Sequence, residues 1–227
     1  GIALDSNGRV YVCDRSNSRI QIFDAKGKFI DQWKGPHIGR PYGIAISKDD
    51  VLWYGDYTRG YLGMYDPKTG KYTAYQTCFG SHHLQFGYDA NDTLWMSTGG
   101  GGGNVGWINT KMLDETGDIE KSQGWTALVL DTNGNGKRDE YTDLGKPADP
   151  SKDKRVMTGF YGVQTSPKDN SVWGQSMDVG FSRVDQPSFL IRMIPGSDPT
   201  HTALAEIYQP PEGYYGLRGL DIDSKGV

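Results

Sequence analysis

The segment from residue 131 to residue 139, DTNGNGKRD, has the spacing of oxygen ligands that is typical of calcium-binding loops. Side-chain oxygens, a carbonyl donor and a sharp-turn glycine alternate along it in the order Asp131, Asn133, Asn135, Gly136, Lys137 and Asp139. Lys137 stands where the EF-hand loop uses a backbone carbonyl, so its side chain is tolerated there. Thr142, followed by Asp143, replaces the usual glutamate at the end of the loop. The motif predicts a structural Ca²⁺ site, and a plain Asn-Gly surface turn is the alternative.

Two adjacent histidines, His82 and His83, are suited to acid–base or metal chemistry near neutral pH. A neutral imidazole accepts a proton or coordinates a metal, so the pair predicts a catalytic base and leaves open a catalytic divalent metal. If both histidines lay on one β-strand, their side chains would point to opposite faces. Arg40 is the candidate to hold an anion, because its planar guanidinium contacts a carboxylate at two points.

A sequence repeat carries these residues. Its units begin at residues 1, 43, 83, 162 and 219 and read GIALDSNGRVYVCD, GIAISKDDVLWYGD, HLQFGYDANDTLWMS, GVQTSPKDNSVWGQ and GLDIDSKGV. A period of roughly 40 residues, with short β-branched and aromatic runs between Gly- and Asp-rich turns, is typical of propeller blades. No segment has a 3.6-residue period long enough to predict a substantial helix. The sequence therefore predicts an all-β fold of four-stranded antiparallel blades, in one domain over residues 1–227, with an insertion at about residues 99–158.

The repeat resembles two related groups of propeller proteins. DSNGRVYVCDRSNSRIQIFDAKGKFI closely resembles an NHL repeat, and PYGIAISKDDVLWYGD with YLGMYDPKTGKYTAY resembles a blade of streptogramin (virginiamycin B) lyase. The resemblance covers about two-thirds of the chain and implies a propeller of about six or seven blades, of which four and a strand are visible. It also implies a histidine before the inner strand of certain blades, a place that His82 matches. Tyr42 and Arg40 stand where the lyases have a histidine and an acidic residue.

The propeller geometry predicts which residues form a common site. Residues just before the inner strands and just after the second strands would gather at one mouth of the central channel. Besides the two histidines and Arg40, the residues at these places include Tyr42, Asp56, Tyr161, Gln175 and Arg218. We expect them to bind a ligand. The alternative is structural: Asp56 would cap backbone groups and Arg40 would pair with it.

Composition excludes some partners. A net charge of −4 with scattered Lys and Arg gives no basic surface for nucleic acid. No apolar run is long enough to span a membrane. Cys13 and Cys78 have no metal-binding spacing, so they are buried thiols or, alternatively, a disulfide between blades. Trp33, Trp53, Trp95 and Trp173 recur at strand positions and are expected to pack between blades.

Two functions remain open on the sequence alone. The first is an exported bacterial lyase or hydrolase of a small molecule, secreted or periplasmic, as the family resemblance and the calcium loop imply. The second is a non-catalytic propeller that holds a small molecule or a partner protein. In both cases an unclosed propeller would expose a strand edge, so we expect the remainder of its own chain or other subunits to close it.

Overall fold

The computed structural model describes residues 1–99, 103–156, 158–176, 188–212, 217 and 219–226. The chain divides into two compact units, Gly1–Phe86 and Gly87–Val227. Both consist mainly of short antiparallel strands, as the repeat predicts.

The first unit contains two four-stranded antiparallel sheets. The first sheet comprises β1 (Ile2–Leu4), β2 (Val10–Asp14), β3 (Arg19–Phe23) and β4 (Phe29–Lys34). The second sheet comprises β5 (Pro41–Ile46), β6 (Leu52–Asp56), β7 (Tyr61–Asp66) and β8 (Lys71–Gln76). A further strand, β9 (Leu84–Phe86), contacts β5 and β6. Each strand pairs with the next along the chain, which is the connectivity of a blade.

The hairpin turns of these sheets are formed by aspartates and glycines at fixed spacing. The carboxylate of Asp5 accepts hydrogen bonds from the backbone N–H groups of Asn7 (3.0 Å) and Arg9 (2.8 Å). Asp24 does the same for Lys26 and Lys28. Gly27 follows Asp24 in a left-handed conformation, φ +81°, which glycine adopts without a steric penalty. The Asp-x-x-Gly spacing therefore fixes where each strand ends.

The core of the first unit lies between its two sheets. Strand alternation places Tyr11, Ile20 and Ile22 on one face of the first sheet, and these pack against buried residues of the second sheet. The second sheet contributes Ile44, Leu52 and Tyr54, and Ile38 of the connecting segment completes the cluster. Trp33 stacks on this core, with its ring centroid 4.3 Å from that of Tyr65.

The second unit begins with a third sheet, in which β10 (Thr93–Ser97) pairs with β11 (Asn104–Asn109), and β11 pairs with β12 (Gln123–Ala127). Two short helices, α1 (Thr110–Thr116) and α2 (Ile119–Ser122), lie between β11 and β12. Much of the segment expected to be an insertion thus supplies strands of a blade-like sheet.

The fourth sheet has seven strands in the order β14-β15-β13-β19-β18-β17-β16. They are β13 (Val129–Leu130), β14 (Tyr141–Thr142), β15 (Asp153–Arg155), β16 (Gln164–Thr165), β17 (Val172–Gln175), β18 (Leu190–Ile194) and β19 (Leu204–Tyr208), with helix α3 (Pro199–Thr202) before β19. The strands β16 to β19 form a four-stranded blade, and the insertion adds three more through a parallel pairing of β13 with β19.

Both cysteines are free thiols in the structure. Cys78 is exposed, whereas burial raises the pKa of the half-buried Cys13 to about 11. At pH 8 we expect a thiol-specific reagent to modify one cysteine per native chain rapidly and the second only after unfolding, because the thiolate is the reactive form. Cys78→Ser should remove the rapid phase. Rapid modification of two thiols in the native chain would contradict this assignment.

Candidate functional site

The two predicted histidines contact each other directly. The Nδ1 atoms of His82 and His83 lie 2.7 Å apart, and the ring centroids are separated by 4.5 Å. Both residues precede β9, which begins at Leu84, so the alternation of a strand does not apply to them. The condition under which they would point to opposite faces, a shared β-strand, is therefore not met.

Aromatic rings and an arginine surround His82. The ring of Tyr42 lies 4.9 Å from that of His82, and the ring of Tyr57 meets His82 edge-on at 5.7 Å. The guanidinium of Arg15 lies 4.4 Å from the centroid of Tyr42, in a cation–π arrangement. We call Arg15, Tyr42, Tyr57, His82 and His83 the histidine–tyrosine cluster.

The repeat explains how this cluster is assembled. Arg15 and Tyr57 occupy equivalent positions, each directly after the aspartate that ends the second strand of its sheet. Tyr42 and His82 each lie close to the start of the next inner strand. In each sheet, the residue that follows the second strand therefore contacts a residue near the start of the next inner strand. This equivalence is the sequence signal for Arg15 and Tyr57, which lie one position beyond the aspartates predicted to form the site.

Gly43 makes the close approach of the histidines possible. A Cβ atom at Gly43 would lie 2.5 Å from the carbonyl oxygen of His82 and 2.8 Å from the Cα of His83. Both neighbours are backbone atoms, which cannot move aside as a flexible side chain does. A residue without a side chain is therefore required at this point of β5.

Two other predicted residues of the first unit lie in different surroundings. Asp56 is buried, and its carboxylate forms an ion pair with Arg59. Arg40 is exposed. The suggested structural pair between Arg40 and Asp56 is thus replaced by a local pair three residues apart. Asp14, equivalent to Asp56, is likewise paired with Arg19 at 2.7 Å.

The second unit holds Tyr161 and Gln175, whereas Arg218 lies outside the described residues. The backbone N–H of Tyr161 donates to the carbonyl of Gln175 (2.9 Å), and the carbonyl of Tyr161 accepts a hydrogen bond from the Ser97 hydroxyl (2.7 Å). The side chain of Gln175 is completely buried, and both its amide atoms are without a hydrogen-bond partner. A buried amide in this state costs about 1–3 kcal/mol for each unsatisfied group.

We expect Gln175→Leu to raise the free energy of unfolding by about 1 kcal/mol, because an apolar side chain of similar size removes the unpaired amide. Urea unfolding of the full chain measures this change. Gln175→Ala is the comparison and should lower stability, since it leaves a cavity. Destabilisation by Gln175→Leu would instead reveal an ordered water or ligand on the amide.

The backbone of the predicted calcium loop folds around the carboxylate of Asp131. The carboxylate of Asp131 accepts hydrogen bonds from the backbone N–H groups of Gly134 (2.7 Å) and Gly136 (2.7 Å). The side-chain amides of Asn133 and Asn135 donate to Asp139 at 3.0 and 2.5 Å. These hydrogen bonds lower the pKa of Asp139, so its carboxylate stays charged over a wide pH range. Hydrogen bonds to Asp131 and Asp139 thus hold the predicted ligand residues together in one loop.

Two side chains anchor this loop: the buried Asp153 of β15, in the fourth sheet, and the half-buried Arg138. Asp153 is fully buried and accepts hydrogen bonds from the backbone N–H groups of Thr132 (3.3 Å) and Asp139 (2.8 Å). Arg138 reaches the interior and donates to the hydroxyl of Thr126 (2.5 Å) and the carbonyl of Ala203 (3.2 Å). Burial lowers the pKa of Arg138. The motif predicts a role for neither residue, because Asp153 lies outside it and Arg138 occupies one of its variable positions.

Metal-ligating side chains are sparse elsewhere in the described part of the chain. Within residues 1–99, 103–156 and the shorter described ranges, no three His, Cys, Asp or Glu side chains are grouped to hold a metal ion. The 131–139 loop would rely on amide and carbonyl oxygens beside its two carboxylates. None of the helices in the described ranges is long and apolar enough to cross a membrane.

Comparison with known proteins identifies the repeat. The NHL repeat model matches residues 1–23. Protein lin-41 of Caenorhabditis elegans is 59% identical over 32 residues, which are 14% of this chain and 3% of lin-41. The chain therefore spans a small part of this curated relative.

Solved structures extend the likeness over most of the chain. Hydrazine synthase of Kuenenia stuttgartiensis has a TM-score of 0.57 at 11% identity, over 92% of this chain and 48% of that one. Virginiamycin B lyase of Staphylococcus aureus has a TM-score of 0.50 at 14% identity, over 93% of this chain and 69% of that one. At this identity the likeness concerns the fold.

The fold and the repeat together define a β-propeller protein built from four-stranded blades. An NHL repeat lies at residues 1–23, and the fold is similar to that of virginiamycin B lyase.

Proposed function

We propose that this propeller binds a small planar anion at the histidine–tyrosine cluster. This proposal rests on the contact between the Nδ1 atoms of His82 and His83, which lie 2.7 Å apart beside the Arg15–Tyr42 pair. Two nitrogens at this distance must share a proton, so one ring donates and the other accepts. Uptake of one further proton gives the pair a positive charge, in the same cluster as the positive charge of Arg15.

The surroundings of this charge suit a flat ligand. Tyr57 is 40% exposed and Arg15 is exposed, so the cluster is reached from solvent. The rings of Tyr42 and Tyr57 are tilted at 51° to each other, with centroids 5.4 Å apart. Aromatic faces and edges favour unsaturated groups, while a guanidinium favours a carboxylate or phosphate. A carboxylate attached to a planar group combines both preferences.

Benzoate is the probe for this proposal. We expect benzoate to shift the NMR signals of the His82 and His83 rings in the full chain, with acetate binding more weakly. Arg15→Gln should weaken benzoate binding about tenfold, since a charged hydrogen bond is lost. Arg9→Gln is the matched control, because Arg9 pairs with Asp5 in the same sheet. Equal effects of the two substitutions, or unshifted histidine signals, would refute the proposal.

A lyase or hydrolase is the second candidate, favoured by the same histidine contact. Because one ring donates its Nδ1–H, its partner must carry its own proton on Nε2, so the pair holds two different tautomers. This is the arrangement needed for a base and an acid side by side. Hydrolysis of p-nitrophenyl acetate that falls with His82→Gln, and not with His201→Gln, would support this candidate. Equal loss in both variants would count against it.

We also propose that the 131–139 loop binds Ca²⁺ as a structural ion. The donor chemistry supports it: two carboxylates, two amide oxygens and the carbonyl of Lys137 are the hard oxygen ligands that Ca²⁺ prefers. With only two charged ligands the affinity should be in the range of about 10⁻⁴–10⁻³ M that is typical of extracellular modules. Such a site would be filled outside the cell, in keeping with a secreted or periplasmic protein.

Calcium at millimolar concentration is expected to raise the melting temperature of the full chain by several degrees, and EDTA should reverse the rise. Asp131→Asn should abolish the response, because it removes one of two charged ligands. Asp149→Asn, in an exposed turn outside the loop, should leave it intact. A rise that magnesium reproduces equally would point to nonspecific ion binding instead.

A further inference from the structure

The hairpin turn between β9 and β10 contains an exposed asparagine in a modification sequence. Asn91 is followed by Asp92 and Thr93, which gives the Asn-x-Thr acceptor sequence of N-linked glycosylation. No other asparagine of the chain has a serine or threonine two positions later. Asn91 is exposed, and its side-chain amide makes no hydrogen bond with the residues that the structure describes. The amide is therefore available to carry a covalent group.

The first sheet contains an equivalent turn, which serves as an internal comparison. Asp89 accepts hydrogen bonds from the backbone N–H groups of Asn91 (2.9 Å) and Thr93 (3.1 Å). Asp5 does the same for the residues two and four positions after it. Asn91 is therefore equivalent to Asn7, which has an arginine two positions later and lacks the acceptor sequence.

The turn between β9 and β10 is also two residues longer, and the addition includes an exposed aromatic ring. It closes through a hydrogen bond from the N–H of Gly87 to the carbonyl of Thr93 (2.7 Å). The corresponding bond in the first sheet joins Asp5 and Arg9 (3.1 Å). Tyr88 lies within the longer turn and is 58% exposed, more than any other described tyrosine or tryptophan.

Tyr88 has the exposure and the sequence position of a platform for a sugar on Asn91. It lies three residues before Asn91 in the same closed turn. The face of an aromatic ring carries partial negative charge and the C–H groups of a sugar ring carry partial positive charge, so the two surfaces attract each other. A sugar on this face would also remove apolar area from water. The exposed ring is thus a second observation, independent of the acceptor sequence, that supports a glycan at this turn.

We propose that Asn91 carries an N-linked glycan whose first sugar packs on Tyr88. In the transfer step the amide nitrogen of Asn91 forms a bond to C1 of an oligosaccharide that is held on a lipid diphosphate. The bond between C1 and the diphosphate oxygen breaks, the lipid diphosphate leaves, and the amide nitrogen releases one proton. A membrane-bound oligosaccharyl transferase of the cell performs this step, so the modification accords with the secreted or periplasmic location proposed above.

The hydrogen bonds of the turn are compatible with this attachment. The carbonyl of Asn91 accepts a hydrogen bond from the N–H of Lys111 (3.3 Å), and the carbonyl of Asp92 accepts one from the hydroxyl of Thr110 (2.7 Å). Attachment at the side-chain nitrogen disturbs neither bond. Thr93, in contrast, is only 6% exposed. Because the acceptor sequence requires the threonine hydroxyl, transfer must precede folding of the hairpin.

Peptide mapping of the protein from its natural source tests the site. The tryptic peptide of residues 72–111 contains Asn91. We expect this peptide to carry an oligosaccharide that peptide N-glycosidase removes, with conversion of Asn91 to aspartate. A peptide without the glycan would overturn the proposal. In cells that glycosylate secreted proteins, Thr93→Ser should keep the glycan and Thr93→Val should lose it, since valine has a similar shape without the hydroxyl.

The role of Tyr88 is measured on the glycosylated chain. We expect removal of the glycan to lower the melting temperature by about 2–4 °C in the wild-type chain and by less than about 1 °C in Tyr88→Ala. Arg9→Thr combined with Asn91→Gln is the matched control, because it moves the acceptor sequence to Asn7, in a turn without an aromatic residue. Removing a glycan from Asn7 should leave the melting temperature unchanged. Equal shifts in the wild-type chain and Tyr88→Ala would overturn the packing of the sugar on Tyr88.

Discussion

Gly43→Ala is expected to lower the free energy of unfolding by about 3 kcal/mol. The added Cβ would lie 2.5 Å from the carbonyl oxygen of His82 and 2.8 Å from the Cα of His83, distances that real Cβ atoms do not reach. Either β5 or the segment that carries the histidines must move. Because Tyr42 precedes Gly43, this movement should also separate Tyr42 from His82, whose rings are 4.9 Å apart.

Urea unfolding of the full chain measures the loss, and Gly27→Ala is the matched control. Gly27 has φ +81° and no atom within 4 Å of a Cβ, so alanine there carries only the backbone strain of about 1 kcal/mol. If Gly43→Ala costs no more than Gly27→Ala, the close approach in the structure is wrong. Benzoate binding should fall in Gly43→Ala and not in Gly27→Ala.

The fold was predictable because the repeat combines two independent local signals. Apolar alternation predicts each strand, and the Asp-x-x-Gly turns limit where it ends, as Asp5 and Asp24 show. Inner strands expected near residues 1, 43, 83 and 162 begin at Ile2, Pro41, Leu84 and Gln164. The repeat unit expected at residue 219 contains no strand within residues 219–226, the part of it that the structure describes.

The 99–158 segment was harder to predict because its pairing is non-local. Residues 104–109 and 123–127 complete a sheet, but the helices α1 and α2 between them break the spacing of the repeat. The parallel contact of Leu130 with Ala205 joins residues far apart in the chain. No local pattern predicts such a partner, since it depends on which sheet edge is available.

The candidate site was predictable only in part, because the repeat gives the positions of residues but not the partners of their side chains. The repeat placed His82, His83 and Tyr42 at neighbouring positions, and the structure brings these three together. It could not predict that Asp56 would be satisfied by Arg59, because ion pairs depend on side-chain reach rather than on repeat position. Arg15 was not predicted, because it lies one residue after the aspartate that ends the second strand of its sheet.

Asp153→Ala is expected to lower the free energy of unfolding by about 3 kcal/mol and to abolish any response to calcium. Asp153 is completely buried, yet both its carboxylate oxygens accept hydrogen bonds from backbone N–H groups of the loop. Removing the carboxylate leaves two part-buried backbone donors without their acceptor and creates a cavity. Since these donors belong to Thr132 and Asp139, the two ends of the loop lose their common anchor, and the ligand oxygens lose their arrangement.

Asp153→Asn separates these effects. Asparagine keeps the volume and one acceptor oxygen, so we expect it to cost about half as much as alanine and to retain a weakened calcium response. Asp149→Ala, which removes an exposed carboxylate that caps the turn at Ser151, should change stability by less than about 0.5 kcal/mol. Urea unfolding with and without calcium measures all three variants. If Asp153→Ala is as stable as Asp149→Ala, the loop is held by Arg138 alone, and the role of Asp153 as its anchor is disproved.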